Sequence, residues 1–469
     1  MSVDSSLSLP RTFAGRVVLG AALLALLTFY VLGATEHARV VNTARARADQ
    51  SGYLWDAVAI HRNWQGTQDE LIGERNRMPM YPGFLALFYD PAMTPDDFFE
   101  RGKQLNIRLS LVLLLVIGLV AHWRLPTAWA SAFTLVVAFG YFIFKAGYAQ
   151  SELLFYTLLF LAFLSQIHLL RGGMQRRDAA VATLGGVVAA VAHLTKAAAL
   201  PLAGLFAGVY AVTEIGFFFS VPAGSTDGVS PSRSTRALRR GGLLALFLGA
   251  FLLTLYPYIA NSHRVFGHYF YNVNTTFYIW YDDWPAASIG TYQHGDGVGW
   301  PDMPPDQLPS MGRYWREHSV GQIAARLTDG LRDMVVVTYQ RFWIAKYLVL
   351  YLGIVLALGL SARRALRALV LSHVPLAIFL VAYAGAYLVA IAFYKPISGT
   401  TSRMFLAHVA PFLFTVSAFA SRAPFREYQW RVGDVTLKAA HLPLLISGLM
   451  LTDIAFMLWP RLMADFTGY

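Results

Sequence analysis

The sequence contains no cysteine and has few charged residues. Without cysteine it has no disulfide framework, no thiolate nucleophile and no cysteine-based metal site. Charged residues make up only 14% of the 469 positions, against roughly 25% in an average soluble protein. The hydrophobic share is 56% and the mean hydropathy is +0.47, which is more apolar surface than a soluble fold of this length can bury. The composition therefore indicates an integral membrane protein.

Acidic residues are also scarce relative to basic ones, so the formal net charge is +11. A basic balance can indicate nucleic-acid binding, which requires a basic stripe or face. Here the lysines and arginines instead form short groups between apolar runs. The cytoplasmic loops of a multi-span protein show this pattern. We therefore expect contact with membrane lipids and no nucleic-acid partner.

Apolar runs of sufficient length to cross a bilayer occur about eleven times. The approximate spans are 12–33, 105–123, 127–145, 150–170, 178–195, 197–219, 241–260, 343–360, 369–393, 404–420 and 440–459. The first run could also be a secretory signal, although the many later spans favour an uncleaved anchor. Most arginines of the short connections fall on one side, which the positive-inside rule assigns to the cytoplasm. The sequence thus predicts an all-α integral membrane protein with a cytoplasmic N-terminus.

This topology places two long hydrophilic segments outside the cytoplasm, at 34–104 and 261–342. Between them, the segment 220–240 is rich in Ser, Gly and Pro, which is typical of a flexible linker. The linker separates a predicted N-terminal transmembrane module, 1–219, from a C-terminal module, 241–469. Each module then carries one long outer loop.

Both outer loops contain patterns that predict interfacial helices. Tyr53, Ala57 and Ile60 recur at helical spacing after the first span. A similar spacing begins at Ile323 in the second loop, which suits an amphipathic helix on the membrane face. Two prolines argue against a regular helix through 79–82.

Two carboxylates at predicted outer helix ends are the acidic site candidates. Asp49 precedes the first interfacial helix, and Glu152 opens the fourth span. An ionisable group at such a position is a candidate for function, as an acid, a base, a metal ligand or an acceptor of sugar hydroxyls. The alternatives are structural: Asp49 caps its helix, and Glu152 interacts favourably with a helix dipole.

Four cations share the predicted outer side, and they are Arg77, Lys196, Lys395 and Arg403. Arg77 suits planar contact with a phosphate or with lipid headgroups. Lys196 either neutralises a departing phosphate or extends to the interface. Together with a carboxylate that deprotonates a hydroxyl, such cations suit the transfer of a group away from a phosphate. The spacing of His and Asp residues in the second outer loop fits no standard site, so we predict no metal ligand.

Several stretches resemble the GT-C superfamily of membrane glycosyltransferases, especially the protein O-mannosyltransferases and the lipid A aminoarabinose transferases. The stretches are ADQSGYLWDA after the first span, RMPMYPGFLALF, YAQSELLFYTLLFLAF at the fourth span, LTKAAALPL and SRMFLAHVAPFL. The clear similarity covers roughly residues 12–210. Beyond it, the C-terminal part is similar in general layout and at Arg403.

The resemblance implies a GT-C fold and a glycosyltransferase in a bacterial inner membrane, acting at its periplasmic or exterior face. It implies a polyprenyl-phosphate sugar donor, a glycolipid, glycan or protein acceptor, and inversion at the anomeric carbon. Asp49 matches the base position and Glu152 a second acidic position, while Lys196 and Arg403 match groups near the donor phosphate. Gln50 stands where many relatives carry a second acid, so a divalent cation is one option. No nucleotide or organic cofactor is expected.

Some alternatives remain at this point. We expect Tyr53, Arg77, Tyr81 and Lys395 to contribute to substrate binding, and Asp56 is an alternative to Asp49 as the base. A flippase or transporter of lipid-linked glycans is the second functional hypothesis. It requires ionisable groups near the middle of the membrane, and the predicted spans contain few.

Overall fold

The computed structural model describes residues 13–64, 76–172, 175–220, 233–295, 302–399, 402–432 and 434–464. The fold is 83% helical with almost no strand, which confirms the predicted helical class. In the described ranges the strands form one antiparallel hairpin, β1 (Gln429–Val432) and β2 (Val435–Lys438), in which Trp430 pairs with Leu437.

The helices before the predicted linker are bounded as follows. They are α1 (Phe13–Val40), α2 (Gln50–Trp64), α3 (Met80–Ala86), α4 (Pro95–Arg124), α5 (Thr127–Val137), α6 (Ile143–Ala146), α7 (Glu152–Leu170), α8 (Arg176–Thr195) and α9 (Leu200–Ser220). A π-helical turn, Ala138–Phe142, joins α5 to α6, and 3₁₀ turns occur at Arg47–Asp49 and Ala197–Ala199.

The helices after the predicted linker are more varied in length. They are α10 (Arg233–Phe266), α11 (Val273–Thr276), α12 (Trp284–His294), α13 (Met311–Glu317), α14 (Val320–Arg341), α15 (Ala345–Ser361), α16 (Arg363–Ser372), α17 (Val374–Ser398), α18 (Ser402–Phe405), α19 (Val409–Ala420), α20 (Ala423–Arg426), α21 (Leu442–Phe456) and α22 (Leu458–Met463). Further 3₁₀ turns occur at Tyr278–Trp280, Leu406–His408 and Ala439–His441. Of the predicted linker, residues 221–232 lie outside the described ranges, and α10 begins directly after them.

Nine helical segments within the described ranges are long and apolar enough to cross a membrane. The number is ten if α14 and α15, which meet at a bend of 115°, count as one broken span. The predicted span at 343–360 corresponds to α15, and the one at 404–420 corresponds to the shorter apolar segment Leu406–Ala420. The chain is therefore a multi-pass membrane protein with a helix at each of the eleven predicted places, although fewer of them satisfy the criteria for a span.

The two long loops, which the sequence predicts to be outer, are shorter than predicted because the helices extend into them. Helix α1 continues to Val40 and α4 begins at Pro95, where Thr94 and Asp97 form a capping box. Helix α2 confirms that the first of these patterns is helical, and its residues Tyr53, Ala57 and Ile60 are buried in a cluster with Tyr81 and Leu85.

The prediction that no regular helix passes through 79–82 was wrong for residues 80–82. Helix α3 begins at Met80 and contains Pro82 in its first turn. A proline there removes no hydrogen bond, because the first backbone N–H groups of a helix have no partner within it. The short helix therefore accommodates the proline-rich sequence.

Helices α7 and α8 are antiparallel neighbours, so the start of α7 lies beside the end of α8 at one end of the bundle, and the end of α7 lies beside the start of α8 at the other. Glu152 begins α7, and Lys196 directly follows α8, so both lie at the end that we call the site end. Arg171 follows α7 and Arg177 lies in the first turn of α8, at the opposite end, which we call the arginine end. Helix α10 packs on α8 at Gly186, where a Cβ atom would lie 2.2 Å from the carbonyl oxygen of Phe247.

Candidate functional site

An ion pair at the site end joins two of the residues that the sequence singled out. Lys196 Nζ donates to Glu152 Oε1 at 2.8 Å. The Glu152 side chain is only 3% exposed, whereas that of Lys196 is 28% exposed. Lys196 has an extended backbone (φ −151°, ψ 131°) where α8 ends. A buried carboxylate is thus compensated by a cation that still reaches the surface.

Two tyrosines from the first outer loop lie against the segment that leads into Glu152. The hydroxyl of Tyr53 lies 2.8 Å from Ser151 Oγ, and its ring meets that of Tyr81 edge-on at 5.4 Å. Tyr81 donates to Asn106 Oδ1 at 3.2 Å. Burial, followed by the charges of Glu152 and Tyr53, raises the pKa of Tyr81 well above its usual value. The Tyr81 hydroxyl is therefore a neutral donor at physiological pH.

Arg77 is held against α2 by an ion pair and by an aromatic ring. Its Nε lies 3.1 Å from Asp56 Oδ2, and its guanidinium lies 5.9 Å from the centre of the Tyr53 ring. This approach requires a glycine on α2, because a Cβ atom at Gly52 would lie 2.1 Å from Arg77 Cζ. Asp56, the alternative base, is thus engaged with Arg77.

Asp49 lies in a strained turn immediately before α2. Ala48 has φ 57° and Asp49 has φ 67°, and in the described part of the chain they are the two non-glycine residues with positive φ. Aspartate tolerates this left-handed conformation, whereas alanine pays about 1–2 kcal/mol for it. Such strain persists where the surrounding structure fixes it, and it is concentrated at functional sites. The conformation also differs from the extended one usual for a helix N-cap, the structural alternative for Asp49.

Gln50 is a residue of the candidate site that the sequence did not single out, because it was considered only as the position of a missing second acid. Its side-chain nitrogen donates to Asn42 Oδ1 at 2.7 Å and to the Arg47 carbonyl at 3.0 Å. Its side-chain oxygen accepts from Asn42 Nδ2 at 2.8 Å and from the Ala149 backbone N–H at 2.9 Å. Gln50 therefore fixes the strained turn at Asp49 and joins it to the segment before Glu152.

A second contact joins the same two segments. The side-chain nitrogen of Gln150 donates to the carbonyl of Ala48. Gln150 lies two residues before Glu152, and Ala48 directly precedes Asp49. The structure thus brings the two predicted carboxylates onto neighbouring, hydrogen-bonded segments of the site end.

The two long loops meet at a network of amides. Asn274 Nδ2 donates to Asn76 Oδ1 at 2.5 Å, and Asn272 Nδ2 donates to the Asn76 carbonyl at 3.3 Å. Tyr394 on α17 donates to Asn274 Oδ1 at 2.8 Å. Asn76 directly precedes Arg77, so this network connects the second outer loop to the candidate site.

The remaining predicted cations lie at the same end of the bundle. Lys395 is half-buried in the last turn of α17, next to Tyr394 of the amide network. On the same helix, Tyr387 donates to the carbonyl of Ala198 at 2.7 Å, two residues beyond Lys196. Arg403 lies on α18, and its side chain is outside the described part of the structure. Contacts in the structure thus link Glu152 and Lys196 to each other and to residues of the first loop. Lys395 and Arg403 are placed at the same end only by the positions of their helices.

Chemically, the site end offers carboxylates that can accept protons, tyrosine hydroxyls that can donate hydrogen bonds and cations that can neutralise an anion. Among the described residues, no group of three or more His, Asp or Glu side chains is placed to hold a metal ion. No family model matches the sequence, and no curated protein matches it with significance.

Proposed function

We propose that the protein is a membrane glycosyltransferase. It transfers a sugar from a polyprenyl-phosphate donor to an acceptor hydroxyl on the extracytoplasmic side. The observation that carries the proposal is the buried Glu152–Lys196 ion pair, joined through Tyr53 and Ser151 to the turn that presents Asp49. The resemblance of the sequence stretches to GT-C enzymes supports the same reaction class.

In the proposed reaction, the acceptor oxygen attacks the anomeric carbon while the bond from that carbon to the phosphate oxygen breaks. Asp49 takes the proton of the acceptor hydroxyl, and the phosphate leaves with the bonding electrons as polyprenyl phosphate. Lys196 stabilises the charge that develops on the leaving phosphate, and Arg403 and Lys395 belong to the same set of cations. Attack opposite to the leaving group inverts the anomeric centre.

Glu152 orients Lys196 and contributes to binding of the donor or acceptor. In the structure the lysine is held by Glu152, so a donor phosphate would share or take over this cation. Arg77 is the partly exposed first-loop residue beside the site, and the buried Tyr53 and Tyr81 support it from below. The site lies where several spans end, which suits a donor whose lipid tail remains in the bilayer.

The proposal is tested by supplying purified protein with a polyprenyl-phosphate sugar and candidate acceptors and measuring the release of polyprenyl phosphate. Asp49→Asn removes the base while conserving the size of the side chain, so release is expected to fall by at least about a hundredfold. Asp56→Asn tests the alternative base, and Asp90→Asn is the matched control, because Asp90 is an exposed carboxylate of the same loop. Full turnover by a folded Asp49→Asn variant would refute the assigned base, and lipid movement without release would favour the flippase hypothesis.

A further inference from the structure

Four arginines converge at the arginine end, each at the end of a different helix. Arg124 ends α4, Arg171 follows α7, Arg177 lies in the first turn of α8, and Arg422 follows α19. Packing of these helices brings their ends together. Arg124 Nη1 lies 3.5 Å from His168 Nδ1 on α7, and α7 meets α19 through Phe160 and Phe414, whose rings lie 5.5 Å apart.

None of the four arginines forms an ion pair with a carboxylate in the described part of the chain. The neighbouring carboxylate on α8 is Asp178, and its two oxygens are engaged elsewhere. Oδ1 lies 2.9 Å from His168 Nε2, and Oδ2 accepts from the Gln175 backbone N–H at 2.7 Å. Asp178 also interacts electrostatically with Arg177, so this end of the bundle brings together four arginines and one neighbouring carboxylate, and positive charge is in excess.

The arginines are close enough to affect one another. The pKa of Arg171 is lowered from its usual value, first by burial and then by the charges of Arg422 and Arg124. Burial also lowers the pKa of Arg422. Like charges in this arrangement repel, so the folded state carries a cost that a bound anion would remove.

Other arginines at the same end are compensated within the chain. Arg240 Nε lies 2.9 Å from Glu214 Oε1, and Arg236 Nε lies 3.5 Å from Glu214 Oε2. These two arginines serve to join α9 to α10. The contrast sets apart the four arginines, which form no ion pair in the described residues, as a cluster available to a ligand.

We propose that Arg124, Arg171, Arg177 and Arg422 form a binding site for a phosphate group at the arginine end of the bundle. Guanidinium groups present planar pairs of donors that match phosphate oxygens. The cluster lies where membrane-crossing helices end, which is the depth of phospholipid headgroups. A phospholipid headgroup and free phosphate share this chemistry. The inference is independent of the proposed function, because the cluster lies at the opposite end of α7 and α8 from Glu152 and Lys196.

The test compares wild-type protein with Arg171→Gln/Arg422→Gln. Arg239→Gln is the matched control, since Arg239 is an exposed arginine on α10 outside the cluster. Retention of phosphatidylglycerol over phosphatidylcholine is measured by native mass spectrometry, and binding of inorganic phosphate by titration calorimetry. Affinity is expected to fall at least about tenfold in the double variant, since each lost charge-assisted hydrogen bond weakens binding by roughly this factor. The control should bind like the wild type.

The two measurements identify the source of the phosphate. Loss of phosphatidylglycerol retention in the double variant indicates a lipid headgroup, and loss of inorganic phosphate binding indicates a soluble ligand. If the double variant does not fold, Arg177→Gln makes the same test at an exposed residue. A wild-type protein that binds neither ligand, or variants that bind as tightly as the wild type, would overturn the proposal.

Discussion

The ion pair between Glu152 and Lys196 allows a quantitative prediction about stability. At the observed separation of 2.8 Å, and with an effective dielectric constant of about 20, the attraction between the two charges is roughly 6 kcal/mol. Much of this energy offsets the desolvation of the carboxylate. What a substitution measures is therefore the cost of leaving one charge behind, which is about 3–5 kcal/mol for a buried pair.

Lys196→Met removes the cation and leaves the nearly buried Glu152 carboxylate without it. We expect the free energy of unfolding to fall by about 3 kcal/mol, the lower end of that range, because Lys196 is partly exposed and water can replace some of its contacts. The double variant Glu152→Gln/Lys196→Met removes both charges. It should recover at least about 2 kcal/mol relative to the sum of the two single losses.

The assay is reversible unfolding in a detergent titration, with the four members of the double-mutant cycle measured at one pH. Lys346→Met is the matched control, because its ion pair with Asp453 at 2.5 Å is more exposed, with 44% of the lysine side chain accessible. This control should lose less stability than Lys196→Met. Strictly additive losses in the cycle, or a Lys196→Met variant as stable as the wild type, would refute the reasoning.

Two further predictions concern packing and pH. At Gly330 a Cβ atom would lie 2.1 Å from a backbone carbonyl oxygen of α17, so Gly330→Ala should lower the free energy of unfolding by about 1–3 kcal/mol. Gly353 has nothing within 4 Å of such an atom, so Gly353→Ala is the control and should be neutral or slightly stabilising. Thermal unfolding of both variants measures the difference. Tyr81→Phe should cost about 1 kcal/mol at neutral pH through the lost hydrogen bond to Asn106. Because the folded-state pKa of Tyr81 is raised, wild-type stability should decline as pH rises above about 10, and the variant should decline less. Wild-type and variant curves that stay parallel through that range would contradict the second prediction.

The main contact of the candidate site could be predicted from the sequence. Two consecutive apolar runs with a short connection form antiparallel helices, so the start of one and the end of the other must meet. Glu152 and Lys196 occupy these two positions, and they are in contact. The helix that contains Tyr53 and Ile60 was likewise predictable, because apolar periodicity is local.

The amides that organise the site could not be predicted in the same way. Gln50, Asn42 and Gln150 are single polar residues near helix ends, and asparagine and glutamine are usually exposed. Their role depends on contacts with distant segments, such as the bond from Ala149 to Gln50 across 99 residues. Contacts of this kind leave no periodic pattern, so sequence reasoning had no signal for them.

The amide network between the outer loops has a consequence for how the site moves. Asn76 directly precedes Arg77, and Tyr394 directly precedes Lys395, while Asn274 bonds to both Asn76 and Tyr394. A displacement of either loop is therefore transmitted to cations that come from opposite halves of the sequence. Each of these hydrogen bonds contributes about 0.5–1.5 kcal/mol, so loss of this junction would uncouple the two loops at a smaller cost than loss of the apolar packing between the spans.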